Sequence, residues 1–170
     1  MGQNNPRGRS AANAYRANGL RANSFAAVIM LLTEFGLGIW VNLYARLPAS
    51  DRGKGVFAAF GGAVASGPAA LALHALLGTL LLVAAIAVVV RAAMARETAS
   101  TAIGAVAFLA IVAGWLSGAR FVGNTSDGAS FGMAVATAIA LLGYVTILFL
   151  PSHAGRESSG LPPVILEESS

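Results

Sequence analysis

The sequence predicts an all-α, polytopic membrane four-helix bundle, and three observations carry that prediction. Of its 170 residues, 56% are apolar and only 11% charged, with a mean hydropathy of +0.72. A soluble domain of this size cannot hide that much apolar surface. Apolar runs of about 20 residues recur along the chain, each long enough at about 1.5 Å per residue to cross a ~30 Å hydrocarbon core. Between the runs, Arg, Gly, Pro and Asn collect in short polar segments.

Residues 1–23 are rich in Asn, Ala, Gly and Arg, lack acidic residues and show no apolar period, so they are expected to form a disordered basic tail. The first span is expected at about 24–44, interrupted only by Thr33, Glu34 and Asn42. Positive charge precedes it as in a signal peptide. The apolar run is too long for one, however, and the small-residue triplet Ala63-Val64-Ala65 lies far beyond its end, so this helix is expected to be retained. Pro48, the polar string Ser50 to Gly55, and Gly61-Gly62 mark a loop, with room for a short interfacial helix around Val56 to Phe60. Pro68 suits the first turn of a second span at about 69–90. A short link carrying Arg91, Arg96 and Glu97 leads to a third span at about 101–119. The string Gly123 to Gly128 reads as a turn, a fourth span follows at about 130–150 and Pro151 stops it, leaving 151–170 as a flexible tail. The spans make one domain, 24–150.

An even number of spans puts both termini on one side. Arg7, Arg9, Arg16, Arg21, Arg91, Arg96 and Arg156 then share that side, against Arg46, Arg52, Lys54 and Arg120 on the other. The excess of positive charge predicts cytoplasmic termini. The formal charge of +4 is scattered over the polar segments and forms no run, so it reads as a topology signal, and nucleic acid is not an expected partner. Trp40, Tyr44 and Trp115 fall at the expected outer ends of their spans and read as one aromatic belt. Without cysteine there is no disulfide, thiolate metal site or cysteine nucleophile. No Walker loop, dinucleotide fingerprint, paired metal carboxylates or Ser/His/Asp set is present, so no catalytic or metal-binding residues are assigned and an enzyme is not the expected class.

Glu34 is the most informative residue. An exposed ionised side chain mid-span would cost at least ~2.5 kcal/mol, so Glu34 must face other helices. Glu34, Gly38 and Asn42 share one stripe of the first span. Glu34 is either a proton-handling or cation-binding carboxylate, since burial disfavours the ionised form of any carboxylate, or a hydrogen-bonded tie between helices. His74, with Gly78 one turn deeper, sits near the outer end of the second span. Imidazole can pass protons or ligate haem iron, and a glycine beside it would let a flat porphyrin approach. Met133, at similar depth on the fourth span, is then the candidate second axial ligand for haem b; His153 lies past the opposite end. The alternative is a core histidine bonded to Glu34, Asn42 or a carbonyl, and a space-filling methionine. Counting from the outer helix ends places Glu34 roughly 8–9 Å deeper than His74, so direct contact would need tilt or a water. Arg120 approaches the same outer region, and Glu34, Asn42, His74 and Arg120 together make the candidate ligand or proton site, facing outward. Asn124 and Asp127 read as solvated loop residues. Small residues at four-residue spacing, Ala110, Gly114 and Gly118, then Gly132, Ala136 and Ala140, allow close helix packing within the bundle, with dimerisation the lesser reading.

The strings Glu34 to Tyr44, Leu73 to Gly78 and Ser130 to Ala134 resemble a group of uncharacterised small four-helix integral membrane proteins of actinobacteria. The resemblance covers about 24–150 and implies family and habitat, a bacterial cytoplasmic (inner) membrane, with no activity attached. A looser similarity to four-helix haem cytochromes rests on His74 and Gly78, without the second intramembrane histidine those proteins use. Three functions follow as expectations: a non-enzymatic accessory or interaction subunit, partnered by lipid and by other membrane subunits or a second copy; a haem-binding electron carrier; and a proton- or cation-coupled transport element using Glu34.

Overall fold

The computed structural model describes residues 6–45, 52–124 and 126–150, and the described part is all-α. Five helices follow one another: α1 (Pro6–Tyr44), α2 (Val56–Ser66), α3 (Ala69–Met94), α4 (Thr98–Asn124) and α5 (Asp127–Phe149). Four of them contain stretches long and apolar enough to cross a membrane, Asn18–Tyr44, Ala69–Met94, Thr98–Asn124 and Asp127–Phe149. The protein is therefore a multi-pass membrane protein. Its spans run alternately up and down in a closed ring, α1 beside α3, α3 beside α4, α4 beside α5, and α5 back against α1. Large apolar side chains such as Leu80, Val83, Ile86, Leu109 and Leu142 point outward, as lipid-facing residues must.

Small residues set the helix spacing. A Cβ on Gly143 would come within 3.1 Å of Ala107 Cβ, one on Gly114 within 3.4 Å of Ala136 Cβ, and one on Gly118 within 3.2 Å of Met133 Sδ. The stripes expected from the sequence thus pack α4 directly on α5 inside the bundle. Lipid competes with any apolar side chain for contact, so close backbone approach and dispersion replace the hydrophobic drive as the source of cohesion.

Several boundaries differ from the sequence reading. Helix α1 starts at Pro6, so residues 6–23 are helical where a tail was expected. Leu20 and Ser24 are buried, the Arg91 guanidinium lies over Gly19, and Arg21 donates to the Leu150 carbonyl at 3.3 Å. Once the packed span supplies a nucleus, extension through Ala- and Arg-rich sequence costs little, because both are strong helix formers. Where a turn is expected across Gly123 to Gly128, α4 runs to Asn124 and α5 starts at Asp127, with both glycines inside helices. Ser126 caps α5 by accepting from the Ala129 N–H at 3.3 Å. Gly123 is buried because the 52–55 loop lies on it: the Gly53 N–H donates to the Gly123 carbonyl at 3.0 Å, with Gly53 at φ +77. His153, Arg46 and the tail expected at 151–170 lie outside the described residues.

The interfacial helix extends to Ser66 and packs against α3 and α4 at the end of the bundle away from the termini, here called the loop end. Its sharp junction with α3 needs glycine, since a Cβ on Gly67 would fall on the Ala63 carbonyl. Two apolar cores result. One, toward the termini, includes Leu31, Leu81, Ile111, Ala140 and Tyr144 from the four spans. The other, at the loop end, joins Val41, Ala59, Ala63, Leu71 and Val122.

Glycine substitutions test this spacing. Gly143→Val should destabilise the protein by about 1–3 kcal/mol through overpacking against Ala107. Gly36→Ala, which meets nothing within 4 Å, should instead stabilise by about 0.5–1 kcal/mol through helix propensity. Unfolding in detergent measures both, and equal effects of the two changes would refute the packing account.

Candidate functional site

Between the two cores the four spans enclose a cleft of about 180 Å³. Its walls are mainly apolar, and α2 contributes Phe60 and Ala63 at the loop end. Glu34 and His74 face each other inside it, with Glu34 Oε1 3.0 Å from His74 Nδ1. Glu34 keeps 13% of its side-chain surface exposed and His74 20%.

Both side chains are accommodated by glycine on the opposite helix. On α1, Glu34 is followed one turn later by Gly38; on α3, His74 is followed one turn later by Gly78. The helices are antiparallel, so Glu34 lies over Gly78 and His74 over Gly38. A Cβ on Gly78 would be 2.9 Å from Glu34 Oε1, and one on Gly38 would be 3.2 Å from His74 Cε1. This exchange corrects the expected separation. Glu34 sits one turn below the level of His74, about 6 Å at the helical rise. The reach of the two side chains closes that offset without an intervening water, because no Cβ stands in the way.

The pair is close but incompletely bonded. The Nδ1–Oε1 approach has the distance of an ion pair but not the direction of a hydrogen bond, and both His74 Nδ1 and Glu34 Oε2 are buried without a hydrogen-bond partner among the described residues. Buried polar atoms are normally satisfied, so this cleft has unused bonding capacity. Two further buried atoms without partners, Ser24 Oγ and Tyr144 OH, lie on α1 and α5 toward the termini.

The other residues singled out in the sequence divide. Met133 lines the same cleft from α5, with its sulfur against Gly118. Asn42 lines the edge of the cleft and is exposed, while Arg120 is exposed and does not line it. Asn124 and Asp127 are exposed. Trp40 and Tyr44 stack at a 4.9 Å centroid separation on the exposed face of α1. Trp115 does not join them in a belt. Helix α4 continues to Asn124, which places Trp115 well inside the span; its Nε1 donates to Thr79 Oγ1 on α3 at 3.3 Å, and its ring packs 5.2 Å from Phe60. The belt expectation for Trp115 follows from a third span ending at 119, whereas α4 runs on to Asn124. The available clue was Thr79, a polar residue in an apolar helix able to satisfy an indole N–H.

The cleft opens sideways. Its exposed lining residues, Phe35, Ile39, Asn42 and Ala134, all belong to α1 and α5. These helices are packed together toward the termini, where Leu31, Ala140 and Tyr144 share a core, and leave an opening along their seam in the loop-end half. With α2 across the end, the outward-facing pocket expected from the sequence becomes a lateral one.

No family model, curated protein or solved structure matches this chain. The site is therefore characterised by its own geometry: a carboxylate–imidazole pair in a laterally open, apolar cleft of a four-span membrane protein.

If Gly78 is glycine to seat Glu34, its substitution should reverse sign with Glu34. Gly78→Ala should destabilise the native protein by about 1 kcal/mol, yet stabilise a Glu34→Ala background by about 0.5–1 kcal/mol, when only the helix-propensity gain remains. Additive effects in a double-mutant cycle would refute the reciprocal arrangement.

Proposed function

We propose that this protein is a non-enzymatic binding subunit of the bacterial cytoplasmic membrane that holds a small lipid-soluble ligand in the Glu34–His74 cleft. The observation supporting this is the pairing of an apolar, laterally open cavity with two buried polar atoms that lack partners. Binding pockets commonly combine apolar walls with a few convergent polar groups that fix orientation. The volume, about 180 Å³, is close to the ~150 Å³ of an engineered cavity that binds benzene, so the fitting portion of a ligand is about one ring. An accessory role beside other membrane subunits is consistent with four spans that enclose little more than this site.

Haem ligation by His74 and Met133 is the second reading, supported by their presence on one cleft. A porphyrin is several times wider than a single ring, so the helices would have to part to admit it. The absorption spectrum of protein purified from haem-supplied cells discriminates: a Soret band lost in His74→Ala would replace the small-ligand reading with a cytochrome.

The chain has two tryptophans, and Trp40→Phe leaves Trp115, on the cleft wall, as the single reporter. Bromobenzene should quench its fluorescence saturably in nanodiscs. Quenching that rises linearly with the membrane concentration of bromobenzene would mean simple partitioning and would sink the binding role. Orientation is checked separately, using the absence of native cysteine. Cysteine introduced at Ser126 should react with an impermeant maleimide on intact cells, and cysteine at Ala95 should not; the reverse pattern would invert the topology.

A further inference from the structure

We propose that the cleft selects a small hydrophobic organic monocation and exchanges it for one proton of the Glu34–His74 pair. This rests on the binding role above and assigns its ligand class.

The electrostatics begin with neutrality. A carboxylate and an imidazole buried together are neutral overall when they carry one proton between them, either as carboxylate with imidazolium or as carboxylic acid with neutral imidazole. A net charge in low-dielectric surroundings is far more costly than either arrangement. A bound cation restores neutrality only when that proton has left, so the balance is one cation bound and one proton released to solvent, with no other bond made or broken. An anion would sit against Glu34. A neutral hydrocarbon would leave Glu34 Oε2 without a partner, whereas an organic cation supplies charge to that buried oxygen.

The surroundings separate an organic from an inorganic cation. A hard metal ion needs several oxygen ligands, and no group of three or more His, Cys, Asp and Glu residues suited to a metal exists among the described residues. The walls offer aromatic side chains instead. A Cβ on Gly78 would meet both Glu34 Oε1, at 2.9 Å, and Trp115 Cδ1, at 3.8 Å, so the carboxylate and the indole converge on one point. Phe35, Phe60 and Phe121 line the same space. Carboxylate plus aromatic ring is the combination that attracts an alkylammonium group, by charge and by the ring quadrupole.

Among the described residues, other titratable groups do not compete at the site. Helix α2 has none, and on α3 the next is Arg91 at the far end. On α4, Arg120 is exposed outside the cleft; on α5, Asp127 is exposed at the helix start and Tyr144 is buried toward the termini. The seam between α1 and α5 carries no charged residue other than Glu34 from residue 22 to 44 or from 128 to 149, so a lipophilic cation reaching the cleft from the bilayer meets no positive barrier.

Two probes of nearly equal shape isolate charge: phenyltrimethylammonium, whose charge is permanent, and tert-butylbenzene, its neutral isostere. Each is used to displace bromobenzene from the Trp40→Phe protein in nanodiscs between pH 5 and pH 9, with proton release read from the buffer dependence of the binding heat. The expected result is a Kd for the cation that falls about tenfold per pH unit while the pair holds its proton, with one proton released per cation, and a Kd for tert-butylbenzene that stays constant. In Glu34→Gln, the cation should lose its advantage and its proton release. Equal displacement by both probes at all pH values, or cation binding without proton release, would overturn the exchange while leaving the ligand-binding role intact. Linear bromobenzene quenching would remove both. If Glu34→Gln does not fold, the pH dependence and proton count of the Trp40→Phe protein decide alone.

Discussion

Two ionisable side chains inside an apolar bundle constrain everything around them. Glu34 cannot face lipid without a large penalty, and His74 gains little there, so both must turn inward toward one another. Inward space between tightly packed helices is scarce. It exists because each side chain lies over a glycine of the opposite helix, Gly78 beneath Glu34 and Gly38 beneath His74. The antiparallel pairing of α1 and α3, their register and the position of the cleft all depend on this exchange. A slip of one residue would turn the glycines by about 100° and bring side chains into the space now filled by the carboxylate or the imidazole.

The rest of the bundle isolates that pair. Packing of α4 on α5 through Gly114, Gly118 and Gly143 closes the wall opposite α1 and α3. The core containing Leu81, Ile111 and Tyr144 seals the side toward the termini, and α2, with Phe60 against Trp115, covers the loop end. Among the described residues the seam between α1 and α5 remains uncovered, and it faces lipid. Ligand class follows from this route as much as from the site: what enters along a hydrocarbon seam must first dissolve in the bilayer, and what stays must satisfy a carboxylate.

Much of the fold was legible because the bilayer imposes a length. Runs of about 20 apolar residues are long enough for a span, and each of the four regions expected from the sequence overlaps one of α1, α3, α4 and α5. Helix ends were less legible. Hydropathy marks where lipid contact stops, whereas helices persist past that point wherever local sequence permits, as at Pro6–Asn23 and Arg120–Asn124. Trp115 was misplaced for this reason.

The site divides along the same line. Residue type and periodicity alone marked Glu34 and His74 as the ionisable groups that need an interior, and placed glycine one turn beyond each, since mid-span burial of a charge is a cost that any fold of this chain has to meet. Which residue would meet which was decided by tertiary structure: helix depth counted along single spans ignores side-chain reach and the antiparallel register that sets Glu34 over Gly78. The lateral opening and the turn of Trp115 toward Thr79 likewise exist only between helices, because they depend on which faces are brought together, and no one-dimensional pattern contains that choice.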